Sequence, residues 1–214
     1  MSSELTKLNE QNSQPSFADS QSFEYAQRVA KMLASSNLIP QHFQGNIQNT
    51  VIALEMANRV GASPLMVMQN LYIVHGKPSW SSSFIIAAIN NCKRFTPLRF
   101  EISGDGQALS CRAWANDIHT KEKLEGPKIS MEMAKAEGWV DRPGSKWKTM
   151  PELMIRYRAA AFFGRLYAPD ILMGMLSVDE VSDAEDSKKN TVVEKGKARK
   201  SGISNVSTTQ VILP

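Results

Sequence analysis

Apolar positions along the chain recur first at helical spacing and then in alternation. "SFEYAQRVAKMLASS" sets Phe23, Ala26, Ala30 and Leu33 on one face of a helix. In "NIQNTVIALEMANRVG", Ile47, Val51 and Leu54 form one stripe and Ile52, Met56 and Val60 an adjacent one. Gly61 stands where a left-handed residue ends a helix. "SPLMVMQN" follows, with Ser63 as N-cap and Pro64 at the first helical position. The pattern then changes. "NLYIVHGKPSW" is rich in β-branched and aromatic residues and is interrupted by His75-Gly76-Lys77-Pro78, which predicts a tight hairpin. "SSSFIIAAINN" predicts a serine-capped helix. "FTPLRFEISGDGQALSCRAWAND" alternates on both sides of Gly104-Asp105-Gly106, a second hairpin. "ISMEMAKAEGW" is a short helix capped by Ser130, and a longer helix runs from Pro151 to just before Pro169. Helices and antiparallel hairpins in this order predict an α+β domain.

The ends differ from this core. Residues 1–20 are rich in Ser, Gln, Asn and Glu, and residues 183–214 contain no aromatic side chain. Neither end can bury enough apolar surface to offset its ordering entropy, so both are expected to be flexible tails around a core at 21–182. The acidic run "SVDEVSDAED" near residue 180 reads as a solvated linker. The polar start carries no apolar core of a secretory signal, and no run is long enough to span a bilayer. A cytoplasmic chain is expected, with Cys92 and Cys111 as reduced core thiols.

Charge directs attention to "WKTMPELMIRYRAAAFFGRLYAPD", residues 147–170. The chain has 25 basic and 21 acidic side chains, a surplus of 4. Between Asp141 and Arg165 there are six basic residues (Arg142, Lys146, Lys148, Arg156, Arg158, Arg165) and two acidic ones (Asp141, Glu152), the same surplus within 25 residues. A buried cation needs a partner, and the stretch supplies only Glu152 and Asp170. On a helix, Arg158 and Arg165 are two turns apart on nearly one face, and Arg156 points elsewhere. Ala159, Ala160 and Ala161 leave the backbone thinly covered, which admits another element or a ligand. Two guanidiniums on such a face suit an extended polyanion, because arginine forks onto phosphate oxygens. Carboxylates elsewhere in the chain are the competing partners. "RPGSKWK" interleaves cations with Trp147, the composition of a strand-binding loop with a stacking aromatic, or of a loop whose tryptophan anchors the core. Lys77 and Trp80 form a similar but weaker pair, in which Lys77 is a solvated turn residue or a further phosphate contact.

Catalytic groups are sparse. His42, His75 and His119 share no metal-ligand spacing with one another or with the cysteines. No nucleophile elbow, zincin motif or phosphate loop occurs. Asp105, Asp117, Glu122 and Glu125 match no two-metal nuclease pattern and read as exposed loop charge. A binding protein without cofactor or metal is expected rather than an enzyme.

The order of features resembles the phage RecT/Redβ (Bet) family of single-strand DNA annealing proteins. The likeness covers roughly 46–182. It begins with "ALEMANRVGASPLMVMQNLYIVHGKPSWSSSFIIAAIN", continues through a hairpin ending in "SCRAWA" and Trp147, and closes with "PELMIRYRAAAFFGRLYAPDILMGMLSVDE". The resemblance implies an ATP-independent protein that assembles on DNA as a homo-oligomeric ring or filament. Such a protein holds one strand with its bases exposed and carries the annealing duplex intermediate. It acts in the bacterial host beside a 5′–3′ exonuclease and the host single-strand-binding protein. By motif position, Arg158 and Arg165 correspond to basic helix residues lining the family's DNA groove, and Trp147 to its upstream tryptophan. Where some relatives carry a lysine after the proline, this chain has Glu152, so that contact is absent or is supplied by Lys146 and Lys148. Arg156 and Lys77 complete the set of DNA-binding candidates, with Arg156 also suited to an intramolecular or subunit contact. On this reading the face of Arg158 and Arg165 is a groove floor rather than core. Two alternatives stand beside annealing: a metal-dependent nuclease, and a structural assembly protein whose arginines bridge subunits.

Overall fold

The structure, a computed structural model, describes residues 17–184. Of the tails expected at 1–20 and 183–214, residues 1–16 and 185–214 lie outside the described residues, while Asp19 and Ser20 cap and begin a helix and residues 183–184 end another. The fold is α+β. It begins with α1 (Ser20–Ala34) and α2 (Ile47–Val60), which pack together through Ala26, Ala30, Val51 and Leu54. The buried face of α1 is Ser22, Ala26, Ala30 and Ala34, a small-residue stripe, and Phe23 is 39% exposed rather than buried as its spacing suggests. Asn46 caps α2, whose last turn closes on Gly61 at φ 63°, as the helix-end reading predicts. Ser63 caps α3 (Pro64–Asn70), its side chain accepting from the amide of Met66.

Strands β1 (Leu71–Val74) and β2 (Lys77–Trp80) pair antiparallel around His75-Gly76, both at positive φ, a two-residue turn. Helix α4 (Ser82–Asn91) starts from a Ser81 cap. The second sheet contains β3 (Arg99–Ser103), β4 (Ser110–Asn116), β5 (Lys123–Glu125) and the short β6 (Ile129–Ser130), with β4 paired to the other three. Its register sets Arg99, Trp114 and Glu125 side by side on one face, with Glu101 opposite Arg112 on that same face. Phe100 faces Ala113, and Ile102 faces Cys111, on the other. Helices α5 (Met131–Ala136), α6 (Lys146–Thr149), α7 (Pro151–Tyr167) and α8 (Pro169–Leu172) follow, and residues 178–184 are helical.

The organising element is α7. It packs against α4 on one side and β4 on the other, burying Met154, Ile155, Ala159, Ala160, Ala161 and Phe163. The alanines are therefore explained by close packing: the element that approaches the thinly covered backbone is the protein's own. Gly164 marks the closest approach, since a Cβ there would lie 2.8 Å from Leu172 Cδ1 and 3.0 Å from Ile89 Cδ1. Trp80, wholly buried, ties the hairpin to the chain's later part. Its indole N–H donates to the Leu172 carbonyl at 3.2 Å, its amide donates to the Leu176 carbonyl, and it bridges to Ser177.

Candidate nucleic-acid interface

The approach to α7 is built by local capping. Ser145 accepts from the amide of Trp147 at 3.3 Å, which starts the single turn of α6, and its hydroxyl donates to the Trp139 carbonyl at 2.5 Å. The segment "RPGSKWK" is thus a capped turn rather than a loose loop. It leaves Lys146 and Lys148 exposed on either side of Trp147, which is 1% exposed. Trp139 and Trp147 lie with ring centroids 5.3 Å apart at 34°.

Arg158 enters this aromatic site. Its guanidinium lies 3.8 Å from the Trp139 ring centroid and 5.7 Å from that of Trp147, and it hydrogen-bonds Asp183. Asp183 also accepts the indole N–H of Trp147 at 3.3 Å and forms an ion pair with the Nε of Arg142 at 2.7 Å. Arg158 is 5% exposed and Asp183 1%. Burial draws the Arg158 guanidinium down from its ordinary value, with Glu180 and Asp183 opposing. Burial pushes the Asp183 carboxyl up, with Arg158 and Arg142 pulling it back. An arginine stays protonated in any protein, so the site remains a cation pair around one carboxylate.

Three expectations are corrected here. Arg158 finds its partner in Asp183, because the polar segment that follows α8 folds back over α7; it does not wait for a phosphate. Trp147 is a core anchor with its N–H engaged, so it has no face to offer a base. Asp183, assigned to a flexible tail, is one of the most buried polar groups in the protein, so the core extends at least through it. The run "SVDE" is a capping box: Ser177 Oγ accepts from the amide of Glu180 at 3.1 Å, and Glu180 Oε2 accepts from the amide of Ser177 at 3.0 Å. Up to residue 184 the acidic run is thus a docked helix rather than a solvated linker. That four-residue signature was the sequence signal for it.

Arg165, two turns beyond Arg158, differs. It pairs with Glu180 and stacks on Phe162, 4.4 Å from the ring centroid, yet its side chain is 36% exposed. Both arginines line one groove of about 380 Å³, walled by Trp139, Phe162, Glu137 and Glu180, with Arg158 buried and Arg165 partly exposed. Arg156 turns away and pairs with Glu152 one turn back, donating to its carbonyl at 3.0 Å and lying 3.4 Å from its carboxylate. The intramolecular contact expected of Arg156 is this one. Lys77 sits exposed in the β1–β2 hairpin, on a different element from the groove, and its neighbour Trp80 is buried. Cys111 is buried and burial raises its thiol to about 11; Cys92 is partly exposed, and both are free thiols. Among the described residues no group of three or more His, Cys, Asp or Glu side chains could hold a metal ion, and no helix is long and apolar enough to cross a membrane.

No protein-family model matches the chain, and neither a curated protein nor a solved structure does.

Proposed function

We propose that the chain binds single-stranded DNA and anneals complementary strands without ATP, as a homo-oligomer. The observation that carries this reading is the groove beside α7. A partly exposed arginine, Arg165, lines it against the ring of Phe162, with the buried Arg158 on Trp139 as a second cation. Cations interleaved with aromatic rings suit a nucleic-acid strand, whose phosphates give salt-dependent affinity and whose bases stack without sequence preference. Arg165 holds the buried Glu180 carboxylate through one nitrogen of its fork, and the exposed part of its guanidinium is what a phosphate would meet in the groove. Lys146 and Lys148, exposed one turn before α7, add cationic surface to the same part of the chain. The resemblance in residues 46–182 supports annealing over simple binding: pairing energy of the new duplex drives the reaction. Assembly is supported by an apolar groove of about 530 Å³ between α1 and α2, lined by Phe23, Ile47, Val51 and Ile52, which a second copy would cover.

Two complementary fluorescent oligonucleotides, mixed at low salt without nucleotide, test the reading. Wild type accelerates their annealing, Arg165→Ala loses most of that acceleration while remaining folded, and Arg156→Ala retains it. A wild-type protein that neither binds nor anneals the strands overturns the proposal. Strand cleavage with magnesium would instead favour the nuclease reading.

A further inference from the structure

The face of the β3–β4–β5 sheet turned away from α7 carries an arrangement that the annealing groove does not use. Side chains alternate across a strand, so Arg112, Trp114 and Asn116 of β4 leave on the face opposite to Cys111, Ala113 and Ala115, which are all buried. Trp114 is the one tryptophan of the four in the chain that is not buried; Trp80, Trp139 and Trp147 are 0%, 7% and 1% exposed. Around it stand four cations. Lys123 Nζ lies 4.9 Å above its ring, Arg99 is its cross-strand neighbour, Arg112 lies two residues along the strand, and Lys128 stands beyond Arg112.

Two carboxylates share this face. Glu125 holds both Arg112 at 2.5 Å and Lys123 at 2.6 Å, and Glu101 lies opposite Arg112. Four cations against two carboxylates leave an excess of positive charge beside an aromatic ring. Along the strand from the ring, on the side of Arg112, is a concavity of about 160 Å³ lined by Ser103, Ser110, Arg112, Lys128 and Glu101, a space of phosphate size offering the Ser103 hydroxyl and two cations, with the Ser110 hydroxyl donating to the Ser103 carbonyl. Arg112 and Trp114 are separated by about 6.8 Å along the strand, so a phosphate in the concavity and a base on the indole fit the same stretch of backbone. An aromatic flanked by cations on an open sheet face is how sequence-tolerant single-strand binders hold bases and phosphates together.

We propose that this sheet face is a second binding surface for a single nucleic-acid strand, with a base stacking on Trp114 and a phosphate seated between Arg112 and Lys128. It rests on the annealing reading in one respect: joining two strands requires contact with two, and the groove beside α7 accounts for one. The surface also has a simpler structural use, because Lys123 over Trp114 and the Glu125 pairs add cross-strand stability.

Intrinsic tryptophan fluorescence separates the two uses, since Trp114 is partly exposed and the other three tryptophans are buried. Wild type, Trp114→Phe and a Lys123→Glu/Lys128→Glu variant are titrated with oligothymidylate at low salt, with anisotropy of a labelled oligonucleotide measured in parallel and folding checked by circular dichroism. The proposal predicts quenching in wild type that disappears in Trp114→Phe. It also predicts roughly tenfold weaker binding by the double variant, with a salt slope smaller by about one for each phosphate no longer neutralised. Binding seen by anisotropy with no quenching and no effect of charge reversal overturns this surface and leaves the groove reading intact. Quenching that persists in Trp114→Phe overturns it too. Equal quenching by polyglutamate, which has charge but no bases, overturns the nucleic-acid assignment in favour of an acidic protein partner. Absence of strand binding by every readout removes both readings together.

Discussion

Arg158 and Arg165 leave the same helix on the same side, two turns apart, and end in opposite circumstances. Arg158 is sealed between two indoles and a carboxylate that also holds Arg142 and the Trp147 N–H. Arg165 rests on Phe162 with over a third of its side chain in solvent and one acidic partner, Glu180. The difference lies in the arginines rather than in their partners: Asp183 and Glu180, on the helix at 178–184, are both buried, and of the two arginines Arg165 alone reaches solvent. Breaking a buried ion pair leaves an uncompensated charge in low dielectric, and the cost falls where water can reach one of the partners, as it reaches Arg165. Charge alone therefore does not mark a ligand site; charge with an exit to solvent does.

Removing the sealed arginine gives the largest expected effect. Arg158→Ala leaves the buried Asp183 with Arg142 and the Trp147 N–H alone and opens a cavity against Trp139, and should cost about 3 kcal/mol or more, lowering the melting temperature by roughly 10 °C. A loss under about 1 kcal/mol in denaturant titration would break the comparison. Smaller is the cost at the tight crossing of α7 with α4 and α8: Gly164→Ala must displace the tips of Leu172 and Ile89, for about 1–3 kcal/mol. An unchanged melting curve would mean that the crossing relaxes. Arg165→Ala should cost about 1–2 kcal/mol, since it leaves the buried Glu180 without its cation at a site water reaches, while reducing strand binding, and equal losses at Arg158 and Arg165 would erase the distinction between them. Smallest is Arg156→Ala, at about 0.3–0.5 kcal/mol for an exposed pair one turn apart, with no effect on strands. Cys111 offers an independent check on core integrity. Buried and raised to about 11, its thiol should resist alkylation at neutral pH in wild type and gain reactivity in Arg158→Ala.

Local signals were legible and distant ones were not. Ser63, Ser81 and Ser130 cap the helices that their positions predict, and Pro151 and Pro169 bracket α7 as backbone chemistry requires. The hairpin turns at His75-Gly76 and near Gly104 fall where predicted, although the second connection holds a short 3-10 turn at Gly106–Ala108. The strands β5 and β6 and the one-turn α6 escaped, being too short to show a period. The partner of Arg158 escaped for a different reason. Asp183 lies 25 residues downstream in a run whose composition is that of a tail, and only tertiary folding brings it to α7. The capping box of Ser177 and Glu180 announced a helix there. Glu180 and Asp183, three apart on that helix, then supply one carboxylate for each arginine. Trp147 shows the same limit, since cations flanking an aromatic look alike in sequence whether the ring faces solvent or core.

The most direct test of the central claim is the salt dependence of oligonucleotide affinity for wild type and Arg165→Ala, with melting temperature measured on the same samples. Wild-type affinity is expected to fall steeply with salt, and Arg165→Ala to bind more weakly with a slope smaller by about one while still folded and melting above Arg158→Ala. An identical slope and affinity in the folded variant would contradict it and remove the groove beside α7 from any role in holding a strand.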